Sequence, residues 1–194
     1  MPDHDPAGKA ALRRRLLAAR RTLDPAGERE AAAGLDTQVM ALAGPDPRTV
    51  CAYVSTQGEP PTGRLLEHLA RTGHRVLLPV LLPDLDLDWA AWEPGTSLLP
   101  RRFGLLEPSG PRLGSAAVAS AGMVVCPGLA GSPAGARLGR GGGSYDRVLS
   151  RTTDTVLRVL LLHDAEVRDD VPTDPHDQPV DVLVTPRRTV WCRP

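Results

Sequence analysis

Three apolar runs constrain the fold of this chain, because they have the composition of strands that are buried on both faces. The runs are "HRVLLPVLL" at residues 74–82, "GMVVCPGLA" at residues 122–130 and "DTVLRVLLL" at residues 154–162. A strand with one face in water alternates apolar and polar residues, whereas a strand covered on both faces is apolar almost throughout. The runs therefore predict a parallel sheet between layers of helices.

Helices are predicted between these runs, and aspartate, proline and glycine mark their ends. Asp5 and Asp24 each precede a proline, which places a capping carboxylate before a residue suited to the first helical position. Gly44 and Gly73 stop a helix, since glycine readily adopts conformations that a helix cannot continue. The predicted helices cover residues 6–22, 25–42, 61–73 and 143–151, with approximate ends.

Further strands complete the predicted sheet. Residues 49–55 and 180–186 are β-branched and apolar, and residues 85–92 alternate polar and apolar side chains as an edge strand does. Residues 101–108, "RRFGLLEP", are predicted as loop. Strands that alternate with helices form an open α/β sheet. The expected fold class is α/β, with a single domain over residues 1–194 and an open, mostly parallel sheet that carries helices on both faces.

Composition argues against several classes of protein. The formal net charge is zero, so no broad basic field favours nucleic acid. No apolar run approaches the roughly 20 residues of a membrane helix, and the first residues do not resemble a secretory signal. Cys51 and Cys126 lie in apolar runs without metal-binding spacing, which favours buried, reduced thiols. We expect a cytoplasmic protein with no nucleic-acid, membrane or obligate protein partner.

The segment "RLGRGGGSYDR", residues 137–147, has the composition of a phosphate-binding loop. It lies between a predicted strand and a predicted helix, where open α/β sheets bind ligands. Glycine lets the backbone approach a ligand, backbone N–H groups attract phosphate, and Arg137 and Arg140 add positive charge. Asp146 offers carboxylate oxygens to Mg²⁺. A flexible surface loop would explain the glycines but not the charges, and the pattern is neither a Walker loop nor a dinucleotide fingerprint.

Lysine occurs once in the chain, at Lys9, whereas the other 22 of the 23 basic residues are arginine. Such a bias reflects overall composition, so this lysine is either a chance survivor or a residue that arginine cannot replace. An ammonium group is a compact point charge, whereas a guanidinium group is a wide planar fork. Lys9 is therefore a candidate for a crowded phosphate site.

Several segments resemble the 5-formyltetrahydrofolate cyclo-ligase family, whose members are also called methenyltetrahydrofolate synthetases. The most specific is the glycine-rich segment, which resembles the family signature "RLGRGxGYYD". The others follow in the family's order: "KAALRRR", "YVSTQGEPPT", "LLPRRFGLLEP" and "VPTDPHDQPVDVLVTP". The resemblance extends from Lys9 to Pro186 and therefore covers nearly the whole chain.

The resemblance implies an ATP- and Mg²⁺-dependent ligase that converts 5-formyltetrahydrofolate into 5,10-methenyltetrahydrofolate, with release of ADP and phosphate. ATP and the reduced folate are the two substrates, and Mg²⁺ is the cofactor. The formyl oxygen is a poor leaving group, and its phosphorylation lets N10 of the folate close the ring with loss of phosphate. Such a protein needs no covalent nucleophile, but it must position both substrates and neutralise phosphoryl charge.

The resemblance also implies which residues form the site. Lys9 and Arg140 are the implied catalytic cations, and Lys9 and Arg13 are four residues apart on one helix face. Asp146 and Asp177 are the implied metal ligands. The implied ATP-binding residues are Lys9, Arg13, Arg137, Leu138, Gly139, Arg140, Gly141, Gly142, Gly143, Ser144 and Tyr145. The implied substrate-binding residues are Val54, Glu59, Phe103, Arg140, Gly141, Gly142, Gly143 and Ser144.

Some of these residues have simpler explanations that the sequence leaves open. Arg13 fits a solvated helix face, Glu59 an exposed loop, and Asp177 a turn or cap. Phe103 fits core packing as well as it fits contact with a pterin ring. By contrast, Asp181 is expected to be structural and His176 to be polar surface.

One departure from the family pattern bears on the folate site. Ser144 stands where the family usually has the first tyrosine of "YYD", which removes an aromatic face. Two alternative functions also remain open from the sequence. One is an inactive nucleotide-binding relative, and the other is a sugar-phosphate or coenzyme A thioester enzyme of similar architecture.

Overall fold

The computed structural model of the chain describes residues 6–56 and 58–193. The expected capping role of Asp5 lies outside these residues. The helices are α1 (Pro6–Arg20), α2 (Glu28–Ala43), α3 (Gly63–Arg71) and α4 (Ser144–Ser150). The strands are β1 (Thr49–Cys51), β2 (Arg75–Leu81), β3 (Leu87–Trp92), β4 (Leu98–Pro100), β5 (Leu106–Pro108), β6 (Met123–Pro127), β7 (Ala130–Gly131), β8 (Arg137–Leu138), β9 (Leu157–Leu161), β10 (Val182–Val184) and β11 (Thr189–Trp191).

Seven of these strands form one sheet in the order β11-β10-β9-β6-β1-β2-β3. The five central strands are parallel, whereas β3 and β11 pair antiparallel at the two edges. The predicted mostly parallel sheet and the edge position of the strand near residues 85–92 are therefore confirmed. The strand order reverses between β1 and β6, and such a reversal opens a crevice beyond the carboxyl ends of the strands.

Helices cover both faces of the sheet, as the apolar strands predicted. On one face α2 and α3 pack on the sheet through buried leucine and valine residues such as Leu35, Val39 and Leu65. On the other face α4 packs through Val148 and Leu149. Helix α1 lies apart from these layers and packs in a separate apolar cluster with the β7–β8 hairpin.

The first predicted strand is shorter than expected, because side chains take over its backbone hydrogen bonds. Pairing in β1 ends at Cys51, whereas the prediction extended to Ser55. The hydroxyl of Thr62 donates to the carbonyl of Tyr53 at 2.8 Å and accepts the N–H of Ser55 at 2.9 Å. The chain therefore turns away from the sheet directly beyond β1, where a ligand crevice is expected.

The prediction of loop at residues 101–108 is wrong in part. Strands β4 and β5 pair antiparallel, with Leu99 opposite Glu107, and form a hairpin. At its tip Phe103 and Gly104 have φ angles of 61° and 73°. The buried Glu107 accepts the backbone N–H of Leu81 at 3.0 Å, which ties the hairpin to β2. Gly104 and Pro108 suit a loop, but the backbone of this segment forms one side and the tip of a hairpin.

Cys51 and Cys126 are buried free thiols in the structure, as the apolar runs predicted. Burial raises the pKa of Cys51 to about 12 and that of Cys126 to about 11. Both thiols therefore stay protonated and unreactive near neutral pH. Among the described helices, none combines the length and apolar character needed to cross a bilayer.

Close packing of α2 gives a stability prediction. A Cβ built on Gly34 overlaps the carbonyl oxygen of Pro186 in the turn between β10 and β11. We expect Gly34→Ala to destabilise the protein by about 1–3 kcal/mol, because backbone must shift to make room, and thermal unfolding measures this loss. Gly27→Ala is the matched control, since a Cβ there meets nothing within 4 Å. Equal melting temperatures for the two variants would contradict the prediction.

Candidate functional site

A cavity of about 480 Å³ opens beyond the carboxyl ends of β1 and β6, at the reversal of strand order. This volume is within the range of small-molecule sites, roughly 300–1,000 Å³. Every residue to which the family resemblance assigns a role lines it. These residues come from α1, the segment after β1, the β4–β5 hairpin, the glycine-rich loop with α4, and the segment between β9 and β10.

Helix α1 carries Lys9 into the cavity, although Lys9 is far from the glycine-rich loop in sequence. Leu12 and Leu16 of α1 pack on Leu129 and Leu138 of the β7–β8 region, and Lys9 lies three and seven residues before them on the same, buried helix face. The Lys9 ammonium lies 2.6 Å from Asp174 Oδ2 and 2.5 Å from Asp177 Oδ2. Its side chain is only 5% exposed. Lys9 is therefore a buried charge held between two carboxylates.

Arg13 reaches the glycine-rich loop from the next turn of α1. Its Nε donates to the carbonyl of Gly139 at 3.0 Å. Gly141 follows with a φ of 104°, a conformation that favours glycine, and a Cβ there would lie 3.7 Å from the Arg13 guanidinium carbon. The contact is to the loop, so the interpretation of Arg13 as a solvated helix position is wrong.

Arg137 and Asp146 form a buried ion pair at the base of the loop. Arg137 Nη2 donates to Asp146 Oδ1 at 2.6 Å, and the Arg137 side chain is 4% exposed. The backbone N–H of Gln178 also points to Asp146 Oδ1, at 3.3 Å. Within the described part of the chain, the buried Nε of Arg137 has no hydrogen-bond partner. A buried guanidinium with an unused donor suits an anionic ligand.

The two residues assigned to the metal each have a cationic partner in this structure. Asp146 pairs with Arg137, and Asp177 pairs with Lys9. The donor atoms of Asp174, His176 and Asp177 lie within 4.8 Å of one another, and Asp146 is outside that group. The assignment of Asp146 and Asp177 to one metal stays a prediction, and Asp174 joins them as a further carboxylate in the cavity.

Glu59 forms the opposite wall, on a tight turn that follows β1. Its Oε2 accepts the backbone N–H of Thr56 at 2.8 Å, and its own N–H donates to the Thr56 carbonyl at 3.0 Å. Its Oε1 lies 3.2 Å from Arg140 Nη2, and the Glu59 side chain is 9% exposed. The interpretation of Glu59 as an exposed loop carboxylate is therefore wrong. The pair joins the Glu59 turn to the glycine-rich loop.

Phe103 lies at the tip of the β4–β5 hairpin and is 69% exposed. Its ring contacts the Arg102 guanidinium, whose carbon is 5.1 Å from the ring centre. Core packing is therefore excluded as its role. An exposed aromatic ring on the rim of the cavity is available to a ligand instead.

The sequence reasoning did not identify several residues that line the cavity. Tyr53, next to Val54, and Asp174, near Asp177, were not predicted to line it. In the described ranges, the buried hydroxyls of Tyr53 and Tyr145 have no hydrogen-bond partner, and burial raises the pKa of both well above the usual tyrosine value. The tyrosines therefore present neutral donors. Apolar wall comes from Pro79, Leu81, Leu85, Leu87, Leu105 and Leu106.

Comparisons with known proteins show which family the chain is similar to. The model of the 5-formyltetrahydrofolate cyclo-ligase family matches residues 5–186. The chain is 39% identical over 193 residues to the 5-formyltetrahydrofolate cyclo-ligase of Mycolicibacterium smegmatis, covering 95% of this chain and 97% of that protein. It is 33% identical over 146 residues to the Escherichia coli K12 protein of the same name, covering 74% and 80%.

Two solved structures of 5,10-methenyltetrahydrofolate synthetases are also similar to the chain. The chain superimposes on the 5,10-methenyltetrahydrofolate synthetase of Aquifex aeolicus with a TM-score of 0.81 and 27% identity, covering 96% of this chain and 93% of that one. A Mycoplasma pneumoniae synthetase shares the fold at a TM-score of 0.73 and 18% identity, covering 92% and 98%. With a family match over almost its entire length, the chain belongs to the 5-formyltetrahydrofolate cyclo-ligase family.

Proposed function

We propose that this protein uses ATP and Mg²⁺ to convert 5-formyltetrahydrofolate into 5,10-methenyltetrahydrofolate, with release of ADP and phosphate. The observation that carries the proposal is the composition of one cavity. Its glycine-lined wall bears Lys9, Arg13, Arg137 and Arg140, whereas the opposite wall bears Glu59 and apolar side chains. A polyanionic nucleotide and a flat heterocycle with amide-like donors require these two kinds of wall.

The cationic wall is the proposed ATP site. Lys9 and Arg13 project from one face of α1, Lys9 to the carboxylates of Asp174 and Asp177 and Arg13 to the carbonyl of Gly139 in the glycine-rich loop. Arg137 adds a buried donor. Catalytic roles go to Lys9 and Arg140, which stabilise charge on the transferred phosphoryl group. The glycine-rich loop, residues 139–143, brings backbone close to the nucleotide because no Cβ stands in the way.

The other wall is the proposed folate site. The Glu59 carboxylate accepts N–H groups of the pterin, and Val54 and Phe103 contribute apolar contact. Tyr53 supplies a neutral hydroxyl beside them. Ser144 offers no ring for stacking, so apolar contact in this protein depends on the strand residues and the hairpin instead.

The reaction then needs only positioning and charge neutralisation. The formyl oxygen attacks the γ-phosphorus of ATP, and ADP leaves. N10 attacks the formyl carbon, the carbon–oxygen bond breaks with loss of phosphate, and N10 gives up its proton. No protein side chain forms a covalent bond, which agrees with raised pKa values at Cys51 and Cys126, the buried thiols of the sheet.

The carboxylates Asp146, Asp174 and Asp177 would hold the Mg²⁺ ion. They fit it because Mg²⁺ prefers hard oxygen donors from carboxylates and phosphates, and because two of them already surround a cation, the Lys9 ammonium. When bound, the metal would neutralise charge on the phosphate oxygens. We also propose a cytoplasmic location, since the thiols Cys51, Cys126 and Cys192 are free.

The proposed reaction is tested by absorbance, because the methenyl product is a chromophore. Wild-type protein mixed with 5-formyltetrahydrofolate, ATP and Mg²⁺ should form it, and omission of ATP should abolish the signal. Product formation without ATP would overturn the proposal. ATP binding without product would indicate the inactive relative, and sugar-phosphate or thioester turnover would indicate the other alternative.

Replacement of Lys9 tests its proposed phosphate contact. Lys9→Arg keeps the charge, but the wide guanidinium does not fit the space of an ammonium that contacts two carboxylates. We expect at least a tenfold loss of rate at subsaturating ATP, which corresponds to about 1.4 kcal/mol. The control is Arg14→Lys on the exposed face of α1, which should keep the wild-type rate. Equal rates for wild type and Lys9→Arg would refute the assignment.

Replacement of Asp146 tests the metal assignment. Asp146→Asn keeps an oxygen for Arg137 but loses the negative charge that Mg²⁺ requires. We expect a sharp loss of turnover and a higher Mg²⁺ concentration for half-maximal activity in a protein that still folds, as judged by circular dichroism. Asp170→Asn removes a charge from an exposed pair with Arg168 and is the control. An unchanged Mg²⁺ dependence in Asp146→Asn would contradict the assignment.

A further inference from the structure

A buried ion pair lies behind the Glu59 turn, outside the machinery assigned above. Arg20, at the end of α1, donates to Glu166 Oε1 at 2.6 Å through Nε and to Oε2 at 2.8 Å through Nη2. The two side chains are 5% and 6% exposed. Breaking such a pair leaves an uncompensated charge, so its geometry is strongly held.

Three segments of the cavity wall meet at this pair. Arg20 Nη2 also donates to the carbonyl of Gly128, which follows β6 and lines the cavity. Glu166 Oε2 accepts the backbone N–H of His163, which follows β9. The pair therefore fixes the position of His163 relative to α1 and β6.

His163 in turn reaches the Glu59 turn. Its Nε2 lies 3.1 Å from the carbonyl oxygen of Gly58. A carbonyl oxygen only accepts, so Nε2 carries the hydrogen. The backbone N–H of Glu166 donates to the His163 carbonyl at 2.9 Å, and the His163 side chain completes this capping box through its remaining ring nitrogen, Nδ1. Nδ1 therefore caps the short 3-10 helix Asp164–Glu166, and Nε2 holds Gly58, the residue that precedes Glu59.

Gly58 rests directly on Arg20 as well. Its φ is 80°, and a Cβ there would lie 3.3 Å from Arg20 Cβ and 3.4 Å from the Arg20 carbonyl oxygen. The turn is thus supported from behind by a buried side chain and by a hydrogen bond. At the front, Glu59 contacts Arg140, whose side chain is 52% exposed. An exposed arginine restrains its partner weakly. The hydrogen bonds between Glu59 and Thr56 therefore set the shape of the turn, and the rear contacts set where the turn, with its Glu59 carboxylate, lies in the cavity.

We propose that His163, fixed by the Arg20–Glu166 pair, is a positioning residue for folate binding. It holds the Glu59 turn in its binding geometry before the substrate arrives, which lowers the cost of ordering the turn. The inference rests on the proposed contact between Glu59 and the folate. The proposal predicts that replacing His163 weakens binding of the folate and leaves binding of ATP unchanged.

Two amide substitutions separate the two functions of the ring. The amide of Asn reaches roughly as far as Nδ1, so His163→Asn keeps the cap but loses the bond to Gly58. The amide of Gln reaches roughly as far as Nε2, so His163→Gln keeps the bond to Gly58. The measurements are KM for 5-formyltetrahydrofolate and for ATP, melting temperature, and hydrogen exchange at the amides of Thr56 and Glu59.

We expect His163→Asn to raise KM for the folate about three- to tenfold, the value of one hydrogen bond. KM for ATP should not change, and the Thr56 and Glu59 amides should exchange faster. His163→Gln should have the folate KM and the amide exchange rates of the wild type, whatever its melting temperature. An unchanged folate KM in His163→Asn, or equal rises in both KM values, would overturn the proposal.

Failure of the proposed function is distinguishable from failure of this inference. If the wild type forms no methenyl product, the reaction proposal fails, while the exchange rates of Thr56 and Glu59 still report whether His163 holds the turn. Faster exchange in His163→Asn and recovery in His163→Gln would support the positioning role. Identical exchange in the wild type and both variants would overturn it.

Discussion

The docking of α1 across the β7–β8 hairpin is the interaction on which the cavity depends. Leu12 and Leu16 are buried there, and burying a leucine contributes roughly 1.5–3 kcal/mol. Ionic contacts then fix each end of the helix: Lys9 lies between two carboxylates, and Arg20 pairs with Glu166. These two residues are eleven positions apart, or about 16 Å along a helix. One rigid element therefore spans both the proposed ATP wall and the support of the proposed folate wall.

Charge pairing explains how a chain with zero net charge can bind a polyanion. The three proposed site pairs are Lys9 with Asp174 and Asp177, Arg137 with Asp146, and Arg140 with Glu59. Each cation is thus neutralised before a ligand binds. The proposed metal–nucleotide complex would bring charges of both signs, its metal to the carboxylates and its phosphates to the cations. Such an exchange of partners would leave few buried charges without compensation, which would lower the cost of binding.

The sequence predicted the sheet well because its central strands have a strong physical signature. Apolar runs such as residues 74–82 and 122–130 are compatible with few structures other than covered parallel strands. The glycine-rich loop was also predicted, since glycines flanked by arginines are typical of a phosphate-binding loop. The hairpin at Phe103 was not predicted, because prolines hid a short pairing that depends on the buried Glu107 contact with Leu81. Tyr53 and His163 were missed because their relevance arises from contacts distant in sequence.

The wall opposite the glycine-rich loop shows how this protein can provide apolar contact without a tyrosine at Ser144. Leu85, in the turn between β2 and β3, has a φ of 65°, an unfavourable conformation for leucine that costs roughly 1–2 kcal/mol. Arg147 of α4 donates to the Leu85 carbonyl at 2.7 Å. Arg151 contacts both oxygens of Asp86, at 2.9 and 2.6 Å.

These contacts from Arg147 in α4 and from Arg151, the residue after α4, compensate the strain at Leu85. The Arg151 guanidinium holds the pKa of Asp86 below its usual value, so the pair stabilises the turn above that value and loses strength as pH falls through the lowered pKa. The turn is therefore anchored throughout the neutral range. A Cβ on Gly142 would lie 4.0 Å from Leu85 Cδ1, so the leucine faces the glycine-rich loop directly. This turn between β2 and β3 therefore adds apolar surface to the cavity beside the glycine-rich loop.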